Sequence, residues 1–132
     1  VETVGVSNSG EIADAAMALC SRRIDAVCQI SDNLTGASFA SIAQAARRAR
    51  LPLFGFATGQ AKSGAFMTLS RDFHDGGIAS GEIAARILRG ESPARIPFLK
   101  VEKIRYSFNP AAAAASGITL PADLLKLGDI VQ

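Results

Sequence analysis

The sequence predicts an α/β fold: a parallel sheet sandwiched by helices. Three observations lead there. Short, mostly apolar runs alternate with stretches of helical periodicity, the order reads β-α-β-α-β, and the connections are only a few residues long.

The first segment, "VETVGVS", reads as a strand. Asn8-Ser9-Gly10-Glu11 then resembles a capping box, with Asn8 as N-cap and Glu11 three residues on. Ile12, Ala15, Ala16 and Leu19 follow at helical spacing and make one apolar face. "DAVCQIS" is the second strand. Leu34 to Arg50 is helical again, with Ala37, Ala40, Ala43 and Ala46 near one face and Ile42 beside them. Pro52 marks the next start, and "LFGFA" is the third strand.

"GQAKSG" reads as a glycine-bounded turn and "AFMTLS" as a fourth strand. Asp72 is placed to cap a helix that runs to Arg89 and stops at Gly90. In that helix Ile83, Ala84, Ile87 and Leu88 are expected to form a buried stripe. Gly77 and Gly81 would permit close helix packing. "ESPARIP" is a linker with two prolines. "EKIRYSFN" alternates, placing Ile104, Tyr106 and Phe108 on one side, as in an edge or crossing strand with one wet face. Asn109-Pro110 opens an alanine-rich helix that ends at Gly117. Thr119 to Leu127 is expected to be a last short helix.

At 132 residues the chain is long enough for one domain with a real core. Lys and Arg number 14 against 12 Asp and Glu, so the net charge of +2 gives no support to nucleic-acid binding. The arginines cluster at helix ends (Arg22-Arg23, Arg47-Arg48, Arg50), where positive charge answers the helix dipole. No apolar run is long enough to span a bilayer. The N-terminal residues carry no signal-peptide pattern. They open directly inside a strand, which suggests a chain cut from something larger. Cys20 and Cys28 read as two buried thiols, with a disulfide left open. His74 is the one histidine, so no Cys/His metal cluster is expected.

In a parallel α/β sheet, ligands sit beyond the C-terminal ends of the strands. The four strands end in Ser7-Asn8, Ser31-Asp32-Asn33, Thr58-Gly59 and Ser70-Arg71-Asp72. If all are parallel, these hydroxyls, amides and carboxylates converge on one edge. Each also has a structural reading. Asn8 and Asp72 are good helix caps, and Asn33 or Ser31 would cap the second helix. Asp32 is left over, because one helix end does not need three caps in a row. His74 and Asp72 are two apart and do not face each other on a helix. "GQAKSGAF" lacks the Gly-Lys-Ser/Thr ending of a phosphate-binding loop, and no G-x-G-x-x-G follows the first strand.

Four stretches carry a resemblance: "DAVCQISDN", "LPLFGFA", "GAFMTLSRDFHDGGIASGEIAARILRGESPARIP" and "NPAAAAASGITLP". They resemble the substrate-binding proteins of ABC transporters, in the tryptophan/tyrosine-type group. Those have a Thr/Ser-Asp-Asn strand tip and an I/L-P-V-F strand. A G-A-x-x-T-x-G-x-D-Y segment and a helix-linker ending G-E-x-P-x-x-I-P come next. The chain keeps Ser31-Asp32-Asn33, Leu51-Pro52, Gly64-Ala65, Thr68, Asp72, Gly77, Gly81-Glu82, Gly90-Glu91, Pro93 and Ile96-Pro97. It departs at Phe73-His74, where a Tyr-rich segment is common. It departs again at Thr58-Gly59, where an acidic or serine pair is usual, which leaves room for a ligand other than an aromatic amino acid.

The resemblance implies the C-terminal portion of a bilobal, periplasmic-binding-protein type I-like fold that grips a small solute by hinge closure. It implies that residues 1–64 are second-lobe βαβαβ and that residues 65–132 are crossover and C-terminal segment. It further implies that Asp72 receives a ligand ammonium or hydroxyl and that Ser31, Asp32 and Asn33 bond its polar groups. Phe73 would stack on the ligand, with Asn8, Thr58 and Ser70 as further contacts. The expected partners are a small, amino-acid-like ligand and a membrane permease, outside the cytoplasm. Nucleic acid, metal, cofactor and catalysis are not expected. A lone fragment would be able to pair with a copy of itself to cover sheet edges. The alternative is the ligand-sensing domain of a transcription regulator with the same fold. A small α/β enzyme ranks third, because no nucleophile–base pair stands out.

Overall fold

A computed structural model describes residues 1–131. The chain divides into two compact units. The first joins residues 1–70 with residues 105–132, and the second is residues 71–104.

The first unit is built on a five-stranded sheet. Its strands are β1 (Val27–Cys28), β2 (Leu53–Gly55), β3 (Met67–Arg71), β4 (Ile104–Phe108) and β5 (Asp129–Ile130), in the order β1-β2-β3-β4-β5. β1 and β2 are parallel, pairing Val27 with Leu53 and Cys28 with Phe54. β2 and β3 are parallel, pairing Phe54 with Met67 and Gly55 with Thr68. β4 and β5 are also parallel.

The helices begin and end where local chemistry sets them. A 3-10 turn, Ser9–Glu11, leads into α1 (Ile12–Cys20). The Asn8 carboxamide accepts from the Gly10 N–H at 3.0 Å, while Glu11 reaches back to the Ser7 N–H at 2.8 Å. The expected capping box is therefore present, with its return bond one residue earlier. The helix foreseen over 34–50 is two: α2 (Asn33–Ala37) and α3 (Phe39–Arg48), broken at Ser38 (φ −104, ψ 20). Gly36 weakens the helix just before the break. The break seats Phe39 in the core, where it is 3% exposed. Ile12 and Ala16 of α1 pack there with Ile42, Ala43 and Ala46 of α3, and with Val27 and Leu53 of the sheet. Burying these side chains is the main stabilising term of this unit.

"GQAKSG" forms a one-turn helix, α4 (Gly59–Lys62), rather than a plain turn. α6 (Pro110–Ala115) is capped by Asn109, which accepts from the Ala112 N–H at 2.9 Å. The last helix, α7, covers only Ala122–Leu125.

Four expectations are corrected in these elements. Residues 1–6 form no strand, although Val6 packs partly buried on the core. A strand exists by pairing, and no pairing of this segment occurs among the described residues. β4 is no edge strand, because it lies between β3 and β5. Ser107 and Phe108 are both buried, so the end of this strand has no wet face. β5 was not foreseen, since two residues are too short to show a period. Cys28 is exposed and Cys20 half-buried, and both are free thiols. Val27 and Gln29 turn to the covered face of β1, so alternation sends Cys28 to the open one.

The second unit holds α5 (Phe73–Leu88). Asp72 caps it as foreseen, accepting from the His74 N–H at 3.1 Å and the Asp75 N–H at 3.3 Å. Gly90, at φ 97, makes the left-handed stop that a side chain would disfavour. Residues 96–103 run back along the helix. The Asp72 N–H donates to the Lys103 carbonyl at 3.0 Å, and the Arg71 guanidinium donates to the Val101 carbonyl at 2.6 Å. The Arg86 guanidinium grips Glu91 through two bonds of 2.6 Å, which raises the pKa of the arginine and lowers that of the carboxylate. The stripe expected from Ile83, Ala84, Ile87 and Leu88 is not buried, and Leu88 is 87% exposed. Periodicity aligns apolar residues on a face, but burial needs a covering element. Within this unit only the 93–101 segment lies against that face, and it half-covers Ile83.

Candidate functional site

The parallel pairing of β1, β2 and β3 brings their C-terminal ends to one rim of the sheet. Ser31-Asp32-Asn33 follows β1, Phe56-Ala57-Thr58 follows β2, and Ser70 closes β3 within the first unit. A rim of this kind, at strand ends facing helix starts, is where small molecules bind in such sheets.

Asp32 is the cap of α2, which corrects the assignment of that role to Asn33 or Ser31. Its Oδ1 accepts from the Thr35 N–H at 2.9 Å, and its Oδ2 accepts from the Thr35 hydroxyl in a short bond. These bonds, the side-chain one foremost, hold the Asp32 carboxyl below the usual aspartate pKa. It stays ionised at neutral pH and is exposed to solvent. Asn33 is the first helical residue. Ser31, Asn33 and Thr58 are also exposed. Thr58 stands before α4 but makes no side-chain cap bond.

A buried polar chain supports this rim. The Gln60 carboxamide oxygen accepts from the Phe56 N–H at 2.8 Å and the Ala57 N–H at 3.0 Å. Its Nε2 donates to Gln29 Oε1 at 2.9 Å. Gln29 Nε2 in turn donates to the Thr35 hydroxyl oxygen at 2.8 Å and, through a short bond, to the Ile30 carbonyl. The strand ends after β1 and β2 are thus tied to each other and to the Asp32 cap. Gly55 makes room for this: a Cβ there would meet Gln60 Oε1 at 2.5 Å. The expected site residues did not include Gln29, Gln60 or Thr35. The available signal was Gln29 itself, a polar residue inside an apolar strand, since such residues are rarely buried without a partner.

Ser70 differs from its rim neighbours. It is 2% exposed, and neither its hydroxyl nor that of Thr68, two residues earlier, has a hydrogen-bond partner among the described residues. Asn8 caps the 3-10 turn, and the segment before it joins no strand, so the sheet does not bring it to the rim. Asp72 and Phe73 belong to the second unit. There the Asp72 carboxylate is 3% exposed and lies 3.6 Å from the Lys103 ammonium, which also pairs with Asp75 at 3.0 Å. Phe73 is 80% exposed. Among the described residues no group of three or more His, Cys, Asp or Glu side chains is placed to hold a metal ion, and no helix is long and apolar enough to cross a membrane.

A tyrosine-binding protein of Clostridioides difficile is 28% identical over 123 residues, which is 92% of this chain and 35% of that protein. An ABC domain from Streptococcus pneumonia, solved in complex with L-Trp, matches 99% of this chain with a TM-score of 0.85 and 27% identity. A conserved domain protein of Vibrio cholerae matches 95% with a TM-score of 0.83 and 26% identity. The chain spans about a third of the length of the first relative and under half of the two solved chains. The ABC transporter substrate binding protein family matches residues 1–132 throughout, and the chain belongs to that family.

Proposed function

We propose that this chain is part of the substrate-binding component of an ABC-type uptake transporter. It captures a small, amino-acid-like solute outside the cytoplasm, without transforming it, and delivers it to a membrane permease. The observation that carries this reading is the rim at the ends of β1 and β2. There an ionised, exposed Asp32 is fixed by Thr35 and backed by the Gln29–Gln60 chain. A fixed carboxylate suits a ligand ammonium, and Ser31, Asn33 and Thr58 supply neutral hydrogen-bonding groups beside it. Family membership supports the same reading, as do the tyrosine and tryptophan bound by relatives. The second half of a bilobal protein, with residues 1–64 in one lobe, remains the proposed place of this sequence.

The test is calorimetry with L-tyrosine, L-tryptophan and a panel of other amino acids, together with native mass spectrometry of copurified ligand. Asp32→Ala is expected to weaken binding at least about tenfold. Affinity unchanged by that substitution removes Asp32 from the site, and no binding across the panel sinks the amino-acid reading.

The pH dependence of the cap has a definite sign. The folded-state pKa of Asp32 is depressed, so its contribution is full above the ordinary aspartate value of 3.8 and is lost as pH falls through the lower folded value. Carboxyl and Thr35 amide shifts followed by NMR should therefore titrate below that value. Titration at or above 3.8 would contradict the cap geometry.

Asp72 is proposed as a ligand contact on the strength of its motif, and the neighbouring Phe73 for its exposed ring. Asp72→Ala is expected to cost about 1.5–3 kcal/mol of binding. It also removes the α5 cap, about 1 kcal/mol of stability. A variant that lowers the melting temperature with unchanged affinity assigns Asp72 to the cap alone.

A further inference from the structure

We propose that the trough between α3 and α6 is a second small-molecule site, which takes an organic anion: an apolar body that carries one carboxylate. The trough has a volume of about 610 Å³, within the roughly 300–1,000 Å³ of small-molecule sites. Ala43 of α3 lines one side and Ala112 and Ala115 of α6 the other, and Leu53 and Gly64 line it too. The space exists because these residues are small. After Pro110, α6 is alanine throughout, and a Cβ on Gly64 would already stand 3.1 Å from that of Ala43. The trough is separate from the rim. Leu53 begins β2 and Gly64 precedes β3, whereas the rim lies at the C-terminal ends of the same strands. All its lining residues belong to the first unit.

Charge selects the occupant. No Asp or Glu lines the trough, and its one charged group is the exposed Arg47. Arg50 and Lys62 stand directly before the lining residues Leu51 and Ser63. Among the described residues no ion pair holds any of these three side chains, whereas Arg22, Arg86 and Lys126 each pair with a carboxylate. Arg50 is also kept at a conformational cost. It takes φ 55, and the other left-handed positions among the described residues are glycines: Gly64, Gly90 and Gly117. A glycine would end α3 more easily, so a guanidinium at this position points to a use for its charge. Length separates a small molecule from a polypeptide. α6 has six residues, so its wall is about 9 Å long. A docked helix would meet that wall over less than two turns, far short of the roughly 800 Å² per partner of a stable protein interface. A short apolar chain or a ring packs on the alanines, with its carboxylate on Arg47 and turned toward Arg50 and Lys62.

The test uses residues 1–132 and three probes of one shape, octanoate, octanol and octylammonium, each below the concentration at which it aggregates. Binding is read from amide shifts by NMR and from calorimetry. Octanoate is expected to shift Ala43, Gln44, Leu51, Gly64 and Ala115. It should bind about fivefold or more tighter than octanol, with octylammonium weakest. Arg47→Gln is expected to remove the preference for octanoate and to leave octanol binding in place. Arg50→Gly is expected to raise the melting temperature and yet weaken octanoate, and a merely structural arginine would show the first effect without the second. Ala115→Trp and, separately, Ala40→Trp fill the trough from exposed positions on its two sides, and each should abolish the shifts from octanoate and octanol. Equal binding of the three probes overturns the proposal, as do the absence of binding and shifts centred on Asp32 and Thr35 at the rim. Trough shifts that appear on raising the protein concentration alone, with a dimer mass by light scattering, overturn it too and assign the trough to a second copy.

Discussion

Replacing Phe108 by alanine is expected to lower the unfolding free energy by about 3–5 kcal/mol, the usual cost of emptying a buried aromatic site. Phe108 is fully buried, and its ring stacks on Tyr106 with centroids 6.3 Å apart and planes 6° from parallel. Its carbonyl accepts from the Val131 N–H at 2.8 Å, so the same residue anchors β5. A single domain has about 5–15 kcal/mol of stability in all, so this loss is visible in any urea or thermal melt. Phe98→Ala is the internal control. Phe98 lies fully open to solvent in this chain, and its loss should stay within about 0.5 kcal/mol. Equal effects at the two positions would mean that β4 is not the interior strand described above.

Gln60→Ala is expected to cost about 2–4 kcal/mol, because it strands several polar groups at once. The Phe56 and Ala57 N–H groups lose their acceptor, and Gln29 Oε1 loses its donor. The exposure of Phe56 lets water replace part of this, which keeps the estimate below a simple sum. The substitution also reaches the rim, because Gln29 holds Thr35 and Thr35 holds Asp32. In a double-mutant cycle, Gln60→Ala and Asp32→Ala should therefore be non-additive in ligand affinity. Strict additivity would show that the buried chain does not position the cap.

The caps were the most legible part of the sequence. Asn8, Asp72 and Asn109 each accept an N–H two or three residues downstream, as their residue types and spacing require. These are local interactions, set by neighbours along the chain. Asp32 was recognisable as unusual but not as the cap, because Ser31, Asp32 and Asn33 are all competent and the backbone angle at the strand end makes the choice. The Gln29–Gln60 pair was illegible beyond the oddity of one glutamine, since its members are 31 residues apart and meet only through the β1–β2 register.

The sequence by itself determined the α/β class, the order of most elements and where the helices are capped, because periodicity and capping act over a few residues. Tertiary structure alone decided which of those elements are paired and covered. Residues 1–6 read as a strand and stay unpaired, Ile87 and Leu88 read as core and stay exposed, and Ser107, on the face expected to be wet, is buried. Pairing and burial belong to two surfaces in contact, and one stretch of sequence encodes only its own side of that contact.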